Sequence, residues 1–250
     1  MTTPESATAL IRAVGVVVPA RDEQSRVGEC LRALRAALDE ISGELLRAVC
    51  VIVDRCQDDT ASVVRSVLEE RAWHHVEIVE NRRGLTIGGL RALGMRQLLR
   101  ALDPIPHART WLLSTDADST VPPNWVVDHL HHADAGADAV AGAVTLDEPD
   151  RLDPVALRRY TEIVDAGTTG PTHSHVYAAN LGVRASAYTG VGGFPAVGSG
   201  EEHLLLRRLR SAGHPVVTST RLRVRTSARV QGRTGAGLAE LLGQLHPNAS

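Results

Sequence analysis

Short hydrophobic runs alternate with segments in which hydrophobic side chains recur every three or four positions. A short continuous apolar run is typical of a strand that is buried on both faces of a parallel sheet, whereas the wider spacing is typical of a helix with one buried face. Residues 13–146 alternate strand and helix in this way five times, which predicts a mostly parallel sheet with helices on both faces. The predicted strands are 14–18, 48–53, 76–79, 111–114 and 139–144.

After residue 150 the pattern becomes less regular. The hydrophobic spacing predicts a helix at 153–165 and a second helix that begins at Glu201 and ends near Gly213. The segment 167–175 is rich in Gly, Thr, Pro and His, so we interpret it as a loop. A further strand is predicted at 216–224. We find no internal repeat and no linker, which favours a single domain.

The composition excludes several classes of protein. Hydrophobic residues make up 43% of the chain, as in a globular protein with a core, and the net charge of −2 does not favour nucleic acid as a partner. Every basic residue is an arginine, so a Schiff-base lysine and the lysine of a P-loop are excluded. Gly-x-Gly-x-x-Gly is absent after the first predicted strand, which argues against a dinucleotide-dependent dehydrogenase.

Cysteine usage and hydropathy bear on the location of the protein. The three cysteines, Cys30, Cys50 and Cys56, have no metal-like spacing, and we interpret the first two as core residues. No basic and apolar leader precedes the first strand, and no apolar run reaches the length of a membrane span. We therefore expect a cytoplasmic protein without a transmembrane segment.

Two aspartates, Asp116 and Asp118, directly follow the apolar run 111–114. Ligands bind at the carboxyl ends of strands in open α/β sheets, and alternate residues of an extended chain point to the same side. Two neighbouring carboxylates are hard oxygen ligands that suit Mg²⁺ or Mn²⁺. We interpret the pair as a divalent cation site; the alternative is an acidic loop that caps the next helix.

Five segments, in order along the chain, carry a recognisable set of motifs. They are Val-Val-Val-Pro-Ala-Arg-Asp-Glu at 16–23, Val-Asp-Arg-Cys-Gln-Asp-Asp-Thr at 53–60, Gly-Leu-Thr-Ile-Gly-Gly-Leu-Arg-Ala-Leu-Gly at 84–94, Asp-Ala-Asp at 116–118, and Gly-Gly-Phe at 192–194 followed by Gly-Glu-Glu at 200–202. This ordered set resembles the motifs of the family 2 glycosyltransferases of the GT-A fold, and the resemblance extends over about residues 14–233. It implies an α/β fold of the GT-A type, with a mostly parallel central sheet. It also implies a metal-dependent enzyme that moves a sugar from a nucleoside diphosphate sugar to an acceptor hydroxyl with inversion.

The resemblance also implies a role for each residue of the site. Glu202, with Glu201 beside it, is expected to be the base that acts on the acceptor hydroxyl, although both are also ordinary acids for the first turn of a helix. Asp118 is expected to bind the cation, and Asp116 to share it or to hold the ribose. The remaining residues expected to hold the nucleotide sugar are Pro19, Ala20, Arg21, Glu23, Asp54 and Arg91. The alternative for Arg91 is an ordinary exposed helix residue.

Two positions depart from the family pattern. Arg55 stands where many members carry a second aspartate that contacts the nucleotide base. Glu201-Glu202 stands where the family usually has Glu-Asp.

Other side chains are candidates for contacts with the cation, the sugar or the acceptor. Candidates for a third metal ligand are His173, His175, His203 and His214, and candidates for stacking on sugar or acceptor are Trp125, Tyr177 and Phe194.

The resemblance also divides the single domain, 1–250, into a Rossmann-like nucleotide-sugar-binding half at 13–146, a mixed acceptor half at 147–233 and a C-terminal tail at 234–250. We expect a UDP-sugar donor rather than a GDP-sugar, and a small-molecule or lipid-linked acceptor. Three alternatives remain open: a retaining GT-A transferase of the glucosyl-phosphoglycerate synthase kind, a nucleotidyltransferase, and a non-catalytic module that binds nucleotide sugars.

Overall fold

The computed structural model describes residues 10–232 and 237–247. The start of the chain at 1–9 and parts of the predicted tail 234–250 therefore lie outside the described residues. The strands are β1 Ala13–Ala20, β2 Leu46–Asp54, β3 Val76–Asn81, β4 Thr110–Ser114, β5 Ser119–Thr120, β6 Ala139–Asp147, β7 Thr168–Thr169, β8 Thr172–His173, β9 Leu181–Arg184 and β10 Val216–Ser227. The helices are α1 Val27–Asp39, α2 Thr60–Glu70, α3 Ile87–Ala101, α4 Trp125–Asp134, α5 Pro154–Ala166, α6 Ala185–Gly190, α7 Glu201–Ser211 and α8 Leu238–Gln244.

Within the described residues, eight strands form one sheet in the order β3-β2-β1-β4-β9-β6-β10-β5. Strands β1, β2, β3 and β4 pair in parallel, and β6 pairs in parallel with β10. Strand β9 runs antiparallel between β4 and β6, and β5 runs antiparallel at the edge. The sheet is therefore mostly parallel, as predicted, and the α/β fold class is confirmed.

The hydrophobic core lies on both faces of this sheet. Alternate residues of β1 point to opposite faces, so Val16 packs with α1, α2 and α4, whereas Val17 packs with α3, α6 and α7. Because β1 is covered on both sides, all eight of its residues are buried, which explains the continuous apolar run in the sequence. Cys30 and Cys50 are buried in this core, as expected.

Helix α3 lies unusually close to the sheet. A Cβ atom on Gly94 would overlap the side chain of Val17, so only glycine permits this approach of α3 to β1. The helix begins after Thr86, whose side chain accepts a hydrogen bond from the amide of Gly89 at 3.2 Å. This packing holds the first turns of α3 next to the carboxyl ends of β1 and β4.

The second half of the chain differs in detail from the predicted pattern. The segment interpreted as a loop, 167–175, contains the short antiparallel pair of β7 and β8. Residues of α5 and α8 form a small separate core with Leu152 and Ala228. In the part of the chain that the structure describes, no helix has the length and apolar character required to cross a membrane.

Candidate active site

One cleft of about 380 Å³ opens at the carboxyl ends of β1, β2, β4 and β10. These strands are mutually parallel in the sheet, so their carboxyl ends meet at one edge, where open α/β sheets bind ligands. All ten predicted site residues line this cleft, although they are spread over nearly 200 positions of the sequence. They are Pro19, Ala20, Arg21, Glu23, Asp54, Arg91, Asp116, Asp118, Glu201 and Glu202.

The two aspartates of the Asp-x-Asp motif are each paired with an arginine. Oδ1 of Asp116 accepts a hydrogen bond from Nη2 of Arg91 at 2.6 Å. Oδ2 of Asp118 lies 3.0 Å from Nη2 of Arg229. The side chain of Asp116 is 34% exposed and that of Asp118 is 9% exposed, so Asp118 is the more enclosed of the two carboxylates.

Arg91 is buried, which shows that the alternative of an exposed helix residue is wrong. Its Nε donates to Oε1 of Glu201 at 3.0 Å and its Nη1 donates to Oγ of Ser114 at 2.6 Å, in addition to the bond to Asp116. Burial lowers the pKa of Arg91, but the charges of Asp116 and Glu201 more than offset this effect and raise the pKa above its ordinary value. The guanidinium therefore ties the Asp-x-Asp segment to the start of α7.

The two glutamates at the start of α7 have different surroundings. Glu201 is buried against Arg91, whereas Glu202 is half-buried at the wall of the cleft. Burial, and then the negative charge of Glu201, raise the pKa of Glu202 to about 7. Leu205 and Leu206 are fully buried on the same helix and anchor it to the core. Glu202 thus combines contact with the cleft and a pKa near neutrality, which are the properties of a general base.

At the other end of the cleft, Asp54 is almost completely buried. Its Oδ1 accepts a hydrogen bond from Nδ2 of Asn81 at 2.7 Å and lies 3.3 Å from Nε of Arg55. Nη1 of Arg21 lies 4.0 Å from Oδ2. Arg55, which replaces the aspartate of the family pattern, has a left-handed backbone with φ 47° and lines the cleft beside Asp54. At this end of the cleft, the guanidinium groups of Arg21 and Arg55 therefore lie beside the carboxylate of Asp54.

Sequence reasoning missed Arg229, which follows the end of β10 and bridges two predicted site residues. Its Nη1 donates to Oε1 of Glu23 at 2.6 Å, and its Nη2 contacts Asp118. Burial lowers the pKa of Arg229, but the charges of Asp118 and Glu23 more than offset this and raise it. The one available signal was its place directly after a strand that ends at the same edge of the sheet.

None of the four histidines proposed as a third metal ligand lines the cleft, as far as the described residues extend. His214 instead lies at the amino-terminal edge of the sheet, where its Nδ1 is 2.7 Å from Oδ2 of Asp138. Of the three aromatic candidates, Tyr177 lines the cleft, whereas Trp125 and Phe194 are buried in the core. Tyr177 is therefore the aromatic side chain placed to contact a ligand.

The donor set in the cleft fits a divalent cation. Asp116 and Asp118 offer hard carboxylate oxygens, the ligands that Mg²⁺ and Mn²⁺ prefer. Both carboxylates already contact a guanidinium, and Nη2 of Arg229 lies 3.0 Å from Oδ2 of Asp118, so a cation on Asp118 has to compete with this arginine. Another group, Asp22, Cys56 and Asp58, brings potential ligand atoms within 4.8 Å of one another. The carboxylates of this group accept hydrogen bonds from backbone amides, as in the 2.7 Å bond from the amide of Gln57 to Asp22. They therefore stabilise turns.

Three solved structures with a similar fold share low sequence identity with this chain. The structure of S. aureus TarS 1-349 in complex with UDP-GlcNAc aligns with a TM-score of 0.64 and 13% identity over 93% of this chain and 65% of that one. Mannosyltransferase PcManGT from Pyrobaculum calidifontis, in complex with GDP-Man and Mn²⁺, aligns with a TM-score of 0.64 and 17% identity over 94% and 70%. GalNAc-T7 with UDP, GalNAc and Mn²⁺ aligns with a TM-score of 0.62 and 12% identity over 94% and 47%. This chain therefore spans less than two thirds of the TarS fragment.

The fold, with a cleft at this edge of its sheet, is that of the GT-A glycosyltransferases. The sequence matches the family described as Glycosyl transferase family 2 over residues 15–189, which is more than half of the chain. The chain therefore belongs to glycosyl transferase family 2, as the ordered motifs predicted. A search of curated proteins finds no match.

Proposed function

We propose that this protein is a metal-dependent, inverting glycosyltransferase that moves a sugar from a nucleoside diphosphate sugar to an acceptor hydroxyl. The observation that supports this most strongly is Glu202, a carboxylate with a pKa raised to about 7 in the same cleft as the Asp-x-Asp pair. A base and a site for the leaving diphosphate are the two parts that such a transfer needs on opposite sides of the sugar.

Glu202 acts on the acceptor. Its carboxylate accepts the proton of the acceptor hydroxyl while the acceptor oxygen forms a bond to the anomeric carbon of the sugar. The bond between that carbon and the diphosphate oxygen breaks, and its electron pair leaves with the nucleoside diphosphate. Attack from the side opposite the leaving group inverts the anomeric centre. Glu201 positions Glu202, because its bond to Arg91 fixes the start of α7.

Asp118, with Asp116, holds the divalent cation, Mg²⁺ or Mn²⁺. When bound, this cation neutralises the charge that develops on the leaving diphosphate. Pro19 and Ala20 form the end of β1 beneath the nucleotide, and the residues that bind its polar groups are Arg21, Glu23, Asp54 and Asp116. Arg91 also lines the cleft, and we propose that it belongs to the nucleotide-sugar site, where it holds Asp116 through the 2.6 Å bond.

The donor and the acceptor are proposed by class. Neighbouring structures contain UDP-GlcNAc and GDP-Man, and we propose a UDP-sugar rather than a GDP-sugar as the donor. The acceptor is a small molecule or a lipid-linked molecule with a free hydroxyl. We propose one domain, because β9 and β10 of the second half belong to the same sheet as β1 to β4. Within this domain, residues 13–146 bind the nucleotide sugar and residues 147–233 bind the acceptor.

The proposal is tested by proton NMR of the products formed from UDP- and GDP-sugars with a panel of hydroxyl acceptors. We expect release of nucleoside diphosphate and a glycoside whose anomeric configuration is opposite to that of the donor. Retention of configuration would favour the retaining alternative. Pyrophosphate release from a nucleoside triphosphate and a sugar phosphate would instead identify a nucleotidyltransferase.

A further inference from the structure

The guanidinium of Arg229 joins two parts of the cleft that are distant in sequence. It donates to Glu23, from the loop after β1, at 2.6 Å, and contacts Asp118, from the Asp-x-Asp segment, at 3.0 Å. Both carboxylates are more than nine-tenths buried, and the Arg229 side chain is 30% exposed. Charge-assisted bonds in such an enclosed place are stronger than those at an open surface.

This position conflicts with cation binding. A divalent cation on Asp118 needs oxygen lone pairs of a carboxylate that the guanidinium already contacts. A cation and a guanidinium beside the same carboxylate also repel each other, unless a further anion lies between them. The diphosphate of a nucleotide sugar is such an anion, and it binds arginine well because its oxygens match the planar fork of donors.

We infer that Arg229 couples the binding of the cation to the binding of the nucleotide diphosphate, an inference that rests on the proposed function of the cleft. Arg229 holds Asp118 while the cleft contains no ligand and thereby weakens binding of the cation alone. When cation and nucleotide bind together, the guanidinium leaves Asp118 and contacts the diphosphate. Each ligand then raises the affinity for the other by the same factor, as linkage requires.

The test measures Mn²⁺ affinity directly, from the electron paramagnetic resonance signal of free Mn²⁺, without and with saturating UDP and, in parallel, GDP. In the wild type we expect weak Mn²⁺ binding alone and tighter binding with the nucleotide. Arg229→Gln should bind Mn²⁺ alone about three- to ten-fold more tightly, the range of one enclosed ion pair. The same variant should bind the nucleotide with Mn²⁺ more weakly, so that the coupling factor falls.

Arg225→Gln is the matched control, because Arg225 lies near the end of β10, the strand that Arg229 follows, and pairs with Glu29 and Asp147, away from the cleft lining. It removes the same net charge, so it reports the effect of charge alone. The double variant Glu23→Gln, Arg229→Gln guards against misfolding, because it replaces both partners of the 2.6 Å pair and so removes the buried charge of Glu23 together with that of Arg229. It should also bind Mn²⁺ alone more tightly than the wild type.

The outcomes separate the inference from the proposed function. Unchanged Mn²⁺ affinity and unchanged coupling in folded Arg229→Gln, equal to those of Arg225→Gln, would overturn the role of Arg229. Absence of Mn²⁺ binding to the wild type in both conditions, or binding that persists in Asp118→Asn, would instead overturn the proposed cation site.

Discussion

Two adjacent glutamates show how neighbouring residues of one type acquire different roles. Glu201 is enclosed by Arg91 and the core, whereas Glu202 faces the cleft half-buried. Burial, and then the negative charge of Glu201, raise the pKa of Glu202, so Glu202 titrates near neutrality. Glu201 is held in place by its bond to Arg91. This difference supports our proposal that Glu201 has a positioning role and that Glu202 is the base.

Replacement of Glu202 by glutamine should reduce turnover by about two to four orders of magnitude, because a general base contributes that much. Nucleotide affinity should change little, since the base acts on the acceptor. The folded protein should also gain stability at high pH: a raised carboxyl pKa makes stability fall as pH rises from 4.5 to about 7, and glutamine removes this loss.

Steady-state kinetics and thermal melts at pH 5 and pH 8 measure both effects. Glu202→Asp is the matched variant, because it keeps the carboxylate and restores the residue that is common in the family. Near-normal turnover of a correctly folded Glu202→Gln would show that another group is the base.

The pH dependence of turnover should follow the ionisation of Glu202. Because the ionised form is the base, kcat/KM should rise about tenfold per pH unit below pH 7 and level off above it. Glu201→Gln removes a charge that raises the pKa of Glu202, while its amide oxygen can still accept the bond from Arg91. The rising limb should therefore move to lower pH in this variant. A limb that stays in place would disprove the coupling of the two glutamates.

Single residues were predictable where a motif fixes both their type and their position. Asp116, Asp118 and Glu202 follow from the ordered motifs, and all three line the cleft. Arg229 and Ser114 were not predicted, because the importance of each depends on a partner that lies far away in sequence. The burial of Arg91 was equally unpredictable, since the helical pattern around it is only weakly amphipathic and the sequence does not identify the acids that neutralise its charge.

At the scale of elements, α3 contacts the loop before α7, and the proposed base Glu202 lies at the start of α7. The amide of Gly88, in the first turn of α3, donates to the carbonyl of Val197 at 3.2 Å. A Cβ atom on Gly88 would overlap the carbonyl oxygen of Pro195 and would lie 3.1 Å from Cβ of Glu201. The absence of a side chain at this position therefore allows the loop to reach α3, which sets the start of α7.

Gly88→Ala should displace this loop. We expect a loss of about 1–3 kcal/mol of stability from the forced shift, although alanine favours a helix more than glycine does. Turnover should fall by about tenfold to a hundredfold, because small misplacements of a catalytic group are costly. Chemical denaturation and steady-state kinetics measure these effects.

Gly89→Ala is the control for this prediction, since it lies in the same helical turn and its closest new neighbour would be Oγ1 of Thr86 at 3.3 Å. This variant should retain most of its stability and turnover. If Gly88→Ala behaves like Gly89→Ala, the close contact does not position the base.

The elements that could be predicted are those with a long regular pattern. Strands β1, β2 and β4 are buried on both faces and therefore appear as continuous apolar runs. Strand β9 has four residues, and its antiparallel place between β4 and β6 is decided by partners that lie about 40 to 70 positions away. A pattern this short does not specify a partner or a direction.

At the scale of the whole molecule, the cleft depends on segments from both halves of the chain. The family match ends at residue 189, yet α7 with its two glutamates and β10 with Arg229 behind it complete the cleft wall. Strand β10 pairs in parallel with β6, with a register shift between Ser219 and Arg223, so the second half is part of the same sheet. This arrangement supports our proposal of one domain with two contributing halves.

The proposed function requires that this cleft binds a nucleoside diphosphate through a divalent cation on Asp118. Its most direct test is thermal unfolding of the protein with UDP or GDP, in Mn²⁺ and in EDTA. At a nucleotide concentration about one hundred times Kd, binding should add about 2.7 kcal/mol of stability and raise Tm by roughly 5–10 °C in Mn²⁺. The shift should be lost in EDTA and in Asp118→Asn, and reduced less in Asp116→Asn. An equal shift in EDTA, or full retention of the shift in folded Asp118→Asn, would contradict the account.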